Sequence, residues 1–245
     1  KNIRGAAEAS LQRLGVETID LYWAHFDDAD TPLEETVAAY AALQRDGLVR
    51  HVAVSNYSAD RIREWVRIAD ERGVARPVAI QPHYNLVHRN DVEENIVPVA
   101  EEFVMSLVPY YALASGFLTG KYRSVEDTGD GSPRAGGAAK YATPQGIQII
   151  DTLERIGAAH DASITSTALA WLRAQPTVAA PTIRPARANN KAVLSLAGIG
   201  NLLEFIRSFF SANSGLRDWV ARAEAMAVLY FLNPSSLPSS LAPMA

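Results

Sequence analysis

Short runs of β-branched or apolar residues alternate with longer segments of helical periodicity along most of this chain. That alternation is typical of βαβ units, in which helices connect parallel strands of one sheet. The predicted strands are residues 18–24, 49–54, 78–81, 105–110 and 177–180. The predicted helices are residues 3–14, 31–47, 58–72, 91–103, 145–160 and 164–173. The sequence therefore predicts an α/β fold in which every strand leads into a helix.

The number of strands separates two architectures. A closed (β/α) barrel takes eight strands, whereas an open sheet of five would leave two unpaired edges, which favour aggregation. The first residue is Lys rather than Met, and we expect three further strands ahead of Lys1. The predicted fold class is therefore α/β, a (β/α)8 TIM-barrel type that is incomplete here, with about five of its eight strands and the first three missing. An open sheet is the alternative.

Charge and composition narrow the classes of partner and chemistry. A formal net charge of −4 provides no electrostatic attraction for nucleic acid or for an anionic membrane. The chain has no cysteine, so disulfides, thiolate catalysis and cysteine metal sites are excluded. No apolar run is long enough to span a bilayer, and the printed sequence does not open on a basic segment followed by an apolar run. We expect a cytoplasmic protein; the sequence carries no signal for its oligomeric state.

The character of the sequence changes near Arg187. Residues 201–210 and 216–231 have the periodicity of amphipathic helices, and the Pro/Ser-rich end is predicted to be disordered. We therefore divide the chain into a partial barrel at residues 1–187, C-terminal helices at 188–232 and a tail at 233–245.

Polar residues close four of the predicted strands. They are His25, Ser55 with Asn56, Gln81 and Tyr110. Ligands of parallel α/β folds bind at the carboxyl ends of strands. Amide and hydroxyl side chains could pair with the carboxamide of a nicotinamide, and a tyrosine ring could stack on it. Each residue also has a structural reading: a structural histidine, a turn with a helix cap, a strand terminator and a core tyrosine. Their convergence at one edge is what favours a ligand site.

A glycine-containing segment, residues 113–121, follows the fourth of these strands. Gly116 and Gly120 would let the backbone approach a ligand closely, and Lys121 adds positive charge, as in phosphate-binding loops. A turn punctuated by glycine explains the same spacing. No GxGxxG follows a strand, which excludes a dinucleotide held in Rossmann fashion. Residues 129–137 are predicted to be a loop.

Several motifs together resemble the aldo/keto reductase family over residues 1 to about 181. They are SLQRL at 10–14, IDLY at 19–22 ending at His25, TPLEET at 31–36, GLVRHVAVSN at 47–56, QPHYN at 81–85, YYALASGFLTGKY at 110–122, TALAW at 167–171 and VAAP at 178–181. The resemblance implies hydride transfer from NADPH to a small-molecule aldehyde or ketone, without a metal. It implies that His25 places the substrate carbonyl, that Ser55, Asn56 and Gln81 bind the nicotinamide carboxamide, and that Tyr110 stacks beneath the ring. The residues that would follow the pyrophosphate are Leu113, Gly116, Leu118, Gly120 and Lys121.

The sequence departs from the family pattern in two regions. The family's catalytic Asp, Tyr and Lys would lie on strands ahead of Lys1, so we expect this chain to bind NADP(H) without being an active reductase. After Pro181 only Arg184 and Arg187 remain of the segment that holds the 2′-phosphate, so the preference for NADPH is an expectation from the family. A catalytically silent NADP(H)-binding regulatory subunit and a non-functional gene remnant are the alternatives. Val104 also stands where glycine is expected.

Overall fold

The computed structural model describes residues 2–124, 126–129 and 135–182. The predicted C-terminal helices and tail at 188–245 lie outside the described residues, as do Arg184 and Arg187.

Four parallel strands form one sheet in the order of the sequence. They are β1 (Ile19–Ala24), β2 (Val49–Ser55), β3 (Ala79–Gln81) and β4 (Ser106–Leu107). Ala24 lies opposite Val54, and Ser55 lies opposite Gln81. The carboxyl ends of neighbouring strands are therefore aligned at one edge. The parallel α/β class and four of the predicted strands are confirmed, although β4 is shorter than the predicted residues 105–110.

The fifth predicted strand, residues 177–180, is wrong in extent. Only Val178 pairs with the sheet, through an isolated parallel bridge to Leu107. Thr177 has a φ of 63°, which is outside the extended region, and Pro176 and Pro181 lack the N–H that a longer ladder would need. The backbone hydrogen bond from Ala179 to Leu107, 2.9 Å long, still holds this segment beside β4.

The helices of the described residues are α1 (Ile3–Leu14), α2 (Leu33–Arg45), α3 (Ala59–Glu71), α4 (Val97–Glu102), α5 (Ala135–Ala139), α6 (Pro144–Ala159) and α7 (Ile164–Arg173). Five of them begin and end close to the predicted positions, whereas α4 covers only the second half of the predicted helix at 91–103 and α5 was not predicted. Side-chain caps set three of the starts, because the hydroxyls of Ser58, Thr143 and Ser163 accept backbone N–H bonds in the first turns of α3, α6 and α7. A π-helical turn, Val92–Ile96, leads into α4. Pro98 follows it and has no N–H for a regular helical bond, which accounts for the irregular turn.

Two hydrophobic clusters fill the described part of the chain. The larger one joins the sheet to α1–α4, and the smaller one lies under residues 114–122 and is closed by α5–α7. Ala135 and Ala138 belong to the smaller cluster, beside Phe117 and Leu118. This packing explains why residues 135–139 are helical although the predicted loop ran to Gly137: burial of the alanines offsets the low helix propensity of the glycines.

Val104 follows α4 with a left-handed backbone conformation that strains a β-branched residue. Its φ is 55° and its side chain is 74% exposed, so few contacts offset the strain. We expect Val104→Gly to raise the free energy of unfolding by about 1 kcal/mol, as measured by urea denaturation. Val16→Gly is the matched control. Val16 is also exposed but does not have a positive φ. Val16→Gly should therefore lower the free energy of unfolding. A destabilised Val104→Gly protein would contradict the strain argument.

Candidate active site

The carboxyl ends of β1, β2 and β4 are joined by the side chain of Asn56. Its Nδ2 donates to the carbonyl of His25 at 2.8 Å, and its Oδ1 accepts from the Tyr110 hydroxyl at 2.9 Å. Asn56 has a φ of 59°, a conformation that Asn tolerates better than most residues. The structure therefore brings His25, Asn56 and Tyr110 together, and hydrogen bonds hold them there.

Ser55 and Gln81 connect β2 to β3 at the same edge. The Ser55 hydroxyl is buried and donates to the carbonyl of Gln81 at 2.9 Å, and it accepts from Asn56 Nδ2 at 3.2 Å. The Gln81 amide donates to the hydroxyl of Thr182 at 3.3 Å. The hydrogen bond of Ser55 therefore mainly links β2 to β3. Gln81 keeps its Oε1 without a partner among the described residues, so that oxygen can accept from a ligand.

His25 and Tyr110 present rings at this edge. His25 is exposed, and its ring contacts that of Phe26 edge-on with the centroids 4.5 Å apart. Tyr110 is partly buried, and burial, followed by the neighbouring Tyr111, raises its pKa. A raised pKa makes the Tyr110 hydroxyl a weaker acid than free tyrosine, which suits stacking and hydrogen bonding better than proton donation.

The 113–121 loop folds as a 3-10 helix, Ala114–Thr119, with a kink inside it. The N–H groups of Gly116 and Leu118 donate to the carbonyl of Leu113, and that of Gly120 donates to the carbonyl of Phe117. These three groups therefore have partners inside the loop, and contact of this loop with a pyrophosphate stays a prediction. Gly116 and Gly120 have φ values of 95° and 79°, which require glycine.

The side chains of Leu118 and Lys121, two of the loop residues singled out from the sequence, differ in exposure. Leu118 is fully buried in the smaller cluster, so its side chain is core. Lys121 is exposed, and its ammonium lies 4.3 Å from the centroid of the Tyr122 ring. Contact of the Lys121 ammonium with a phosphate stays a prediction.

Sequence reasoning assigned no role to His83, whose ring lies against that of Tyr110. The two ring centroids are 5.4 Å apart, and the His83 ring also stacks with that of His88 at 3.9 Å. The signal available was spacing, since residues 81 and 83 of an extended segment face the same side. Burial, then His88, then Lys140 lower the pKa of His83 from 6.5 to about 4. His83 is therefore neutral at pH 7.

The depressed pKa of His83 predicts a pH dependence of stability. Between pH 6.5 and about 4 the unfolded chain binds a proton at residue 83 that the folded chain does not. The free energy of unfolding therefore falls as the pH is lowered through this window and is unaffected by this group above it. Because the ring is half-buried, we expect a loss of about 1–2 kcal/mol rather than the full value. Urea denaturation at several pH values measures it. His83→Phe should remove this part of the slope; identical pH profiles for the two proteins would contradict the assignment.

Comparison with known proteins gives the strand-end arrangement a family context. The sequence profile of the aldo/keto reductase family matches residues 1–195. The chain belongs to the aldo/keto reductase family. Its fold is thus part of the (β/α)8 barrel of that family, of which the described residues form four parallel strands with their helices.

Curated aldo/keto reductase relatives carry names of two kinds. A putative voltage-gated potassium channel subunit beta of Schizosaccharomyces pombe is 32% identical over 73% of this chain and 53% of its own length. L-glyceraldehyde 3-phosphate reductase of Escherichia coli O157:H7 is 28% identical over 77% of this chain and 56% of its own length. Aldo-keto reductase yakc of S. pombe, whose name specifies NADP(+), is 30% identical over 71% of this chain and 50% of its own length. The chain spans about half the length of these relatives.

Among the described residues, no helix is both long and apolar enough to cross a membrane.

Proposed function

We propose that this chain binds NADP(H) at the carboxyl ends of its strands and that its site serves the reduction of a small aldehyde or ketone to an alcohol. The observation that carries the proposal is the 2.9 Å hydrogen bond between Tyr110 and Asn56. It joins a flat aromatic ring to an amide at the strand ends, where α/β folds bind ligands. The named NADP(+) dependence of the yakc relative supports the choice of cofactor.

The residues present fit a nicotinamide with its carboxamide. The bound cofactor would supply the hydride. Gln81 Oε1 has unused accepting capacity, and Asn56 Oδ1, which accepts one bond from Tyr110, has a second lone pair. These two oxygens could accept from the carboxamide N–H groups while Tyr110 stacks beneath the ring. His25 would orient the substrate carbonyl, and the Lys121 ammonium would meet the pyrophosphate.

We expect this chain to bind NADP(H) without steady turnover. Reduction of a carbonyl needs a proton for the developing alkoxide. Among the described strand-end residues, Tyr110 is assigned to stacking and His25 to orienting the carbonyl, and that proton is assigned to neither. A cytoplasmic location stays a prediction.

A catalytically silent NADP(H)-binding regulatory subunit is the second candidate. One observation favours it: relatives from fission yeast and rice are named a putative and a probable voltage-gated potassium channel subunit beta. Such a protein would use the strand-end site to sense the cofactor rather than to turn it over.

Cofactor binding by variants tests the proposed site. We expect Asn56→Ala to weaken NADPH binding by about tenfold, since it removes a cofactor contact and also releases Tyr110 and the His25 loop. Titration of the purified chain with NADPH, followed by calorimetry, measures it. Asn95→Ala is the matched control, because Asn95 is an exposed amide bonded to Asp91 in the π-helical turn; it should bind like wild type.

The outcomes separate the candidates. Equal NADPH affinity of wild type and Asn56→Ala, or no binding at all, would contradict the proposed site. Steady NADPH oxidation with 4-nitrobenzaldehyde would make the chain an active reductase and would contradict the expected lack of turnover. Binding without oxidation would favour the regulatory subunit.

A further inference from the structure

A tight turn at residues 85–88 folds the ring of His88 onto that of His83. Asn85 and His88 exchange two backbone hydrogen bonds, of 3.2 and 3.0 Å, in an isolated antiparallel bridge. The side chain of Asn85 is fully buried, and its Oδ1 accepts from the N–H of Val87 at 3.0 Å. The two imidazoles lie 3.9 Å apart and only 16° from parallel. A buried polar side chain thus holds the turn that creates the histidine stack.

The backbone places His83 directly beside Tyr110. The two residues form a parallel bridge, and the N–H of Tyr110 donates to the carbonyl of Pro82 at 2.9 Å. Their rings are stacked at 5.4 Å with 26° between the planes, within the range of favourable aromatic contacts. The ring of His83 therefore stacks with two other rings, that of His88 and that of Tyr110, whose hydroxyl bonds to Asn56 at the strand ends.

The edge of the His83 ring also has polar neighbours. Its Nε2 lies 3.4 Å from Asn85 Nδ2 and 3.5 Å from the hydroxyl of Tyr141. Asn85 Nδ2 also donates to the carbonyl of Tyr111 at 3.0 Å, which ties the turn to the segment that carries Tyr110. The neutral imidazole has an acceptor nitrogen that suits both neighbours. The ring of His83 is thus contacted by the 85–88 turn, by the segment after β4 and by Tyr141, which lies between α5 and α6.

We propose that His83, backed by His88, is a positioning residue that holds the Tyr110 ring in the orientation needed to stack on the nicotinamide. This rests on the proposed function, in which Tyr110 is the stacking residue. His83 acts through Tyr110: its ring stacks on that of Tyr110, while the bond from the Tyr110 hydroxyl to Asn56 fixes the hydroxyl end of that ring. With both restraints, the ring does not have to be ordered when the cofactor binds.

A double-mutant cycle on NADP+ binding tests the proposal with the full chain. His83→Ala should weaken binding by between about three- and tenfold. His83→Phe keeps a flat ring and should restore the affinity to within about twofold of wild type. In a Tyr110→Ala background, His83→Ala should have no further effect, because the residue through which it acts is gone. His51→Ala, which removes a partly buried histidine from β2, is the control and should bind like wild type.

The results distinguish failure of the positioning role of His83 from failure of the proposed NADP(H) site. Loss of affinity on Tyr110→Ala together with wild-type affinity of His83→Ala would overturn the positioning role alone. Wild-type affinity of Tyr110→Ala would remove the stacking role and, with it, the role of His83. A failure of His83→Phe to restore binding would also overturn the proposal, since ring shape is what it requires. If His83→Ala does not fold, His83→Gln, which keeps a polar group and lacks the ring, replaces it and should show the same loss.

Discussion

Trp65→Ala is expected to lower the free energy of unfolding by about 4 kcal/mol. Trp65 lies on α3 with 1% of its side chain exposed, and its ring centroid is 5.6 Å from that of Tyr40 and 5.7 Å from that of Tyr57. Truncation would remove the largest fully buried side chain of the described residues. The cost combines lost burial with the cavity left beside the rings of Tyr40 and Tyr57.

The same change should reach the strand-end site. Tyr57 follows Asn56 directly, and with the Trp65 ring gone it would lose an edge-on aromatic contact. We therefore expect weaker NADPH binding as well as lower stability. Urea denaturation measures the stability. Trp171→Ala is the matched control, because Trp171 is only partly buried and should cost less. Equal losses for the two variants would contradict the argument from burial.

Gly146→Ala is expected to destabilise the protein by about 2–3 kcal/mol, although Gly→Ala in a helix usually stabilises by about 0.5–1 kcal/mol. Gly146 lies in the first turn of α6, where its N–H donates to the capping hydroxyl of Thr143. A Cβ at this position would overlap the carbonyl oxygen of Tyr141 and lie 3.0 Å from the Phe117 ring. Backbone would have to move, and the hydroxyl of Tyr141 is the one that contacts His83.

Gly136→Ala is the control for the expectation that Gly146→Ala destabilises the protein although Gly→Ala in a helix usually stabilises it. Gly136 is also helical, in α5, and nothing lies within 4 Å of a Cβ built on it. Thermal and urea denaturation should show Gly136→Ala unchanged or slightly more stable, by up to about 0.5 kcal/mol. A stabilised Gly146→Ala protein would mean that the Tyr141 carbonyl can move away without cost.

Local signals predicted the elements well where they agreed with packing. α7 begins and ends at the predicted residues, and the Ser163 cap and the apolar spacing of its sequence both indicate those limits. Residues 52–55 at the end of β2 are all buried, which is typical of a central parallel strand. Because parallel strands share one carboxyl edge, their end residues could be expected to meet. The contacts of Asn56 with His25 and Tyr110 follow from that topology.

Other features depend on contacts between distant segments. Residues 135–139 are helical because two alanines fill a cluster whose other members come from elsewhere in the chain. The loop glycines suggested a phosphate cradle, but their N–H groups close the loop on itself, and no local pattern specifies that choice. Spacing put His83 on the same side as Gln81, yet its stack with His88 requires the buried Asn85 turn.

The sequence by itself determined the parallel α/β class, the family and the identity of the strand-end residues, because periodicity, caps and motifs are properties of neighbouring residues. Tertiary structure alone decided how those residues use their hydrogen-bonding groups. Most hydrogen-bonding groups of Asn56 and Ser55 bond to residues of other strands. Gln81 retains one oxygen as an acceptor with no partner among the described residues, and the Tyr110 side chain contacts both Asn56 and His83. The reason is physical: a polar group at a crowded edge bonds to whichever partner packing brings within about 3 Å, and that partner is remote in the chain.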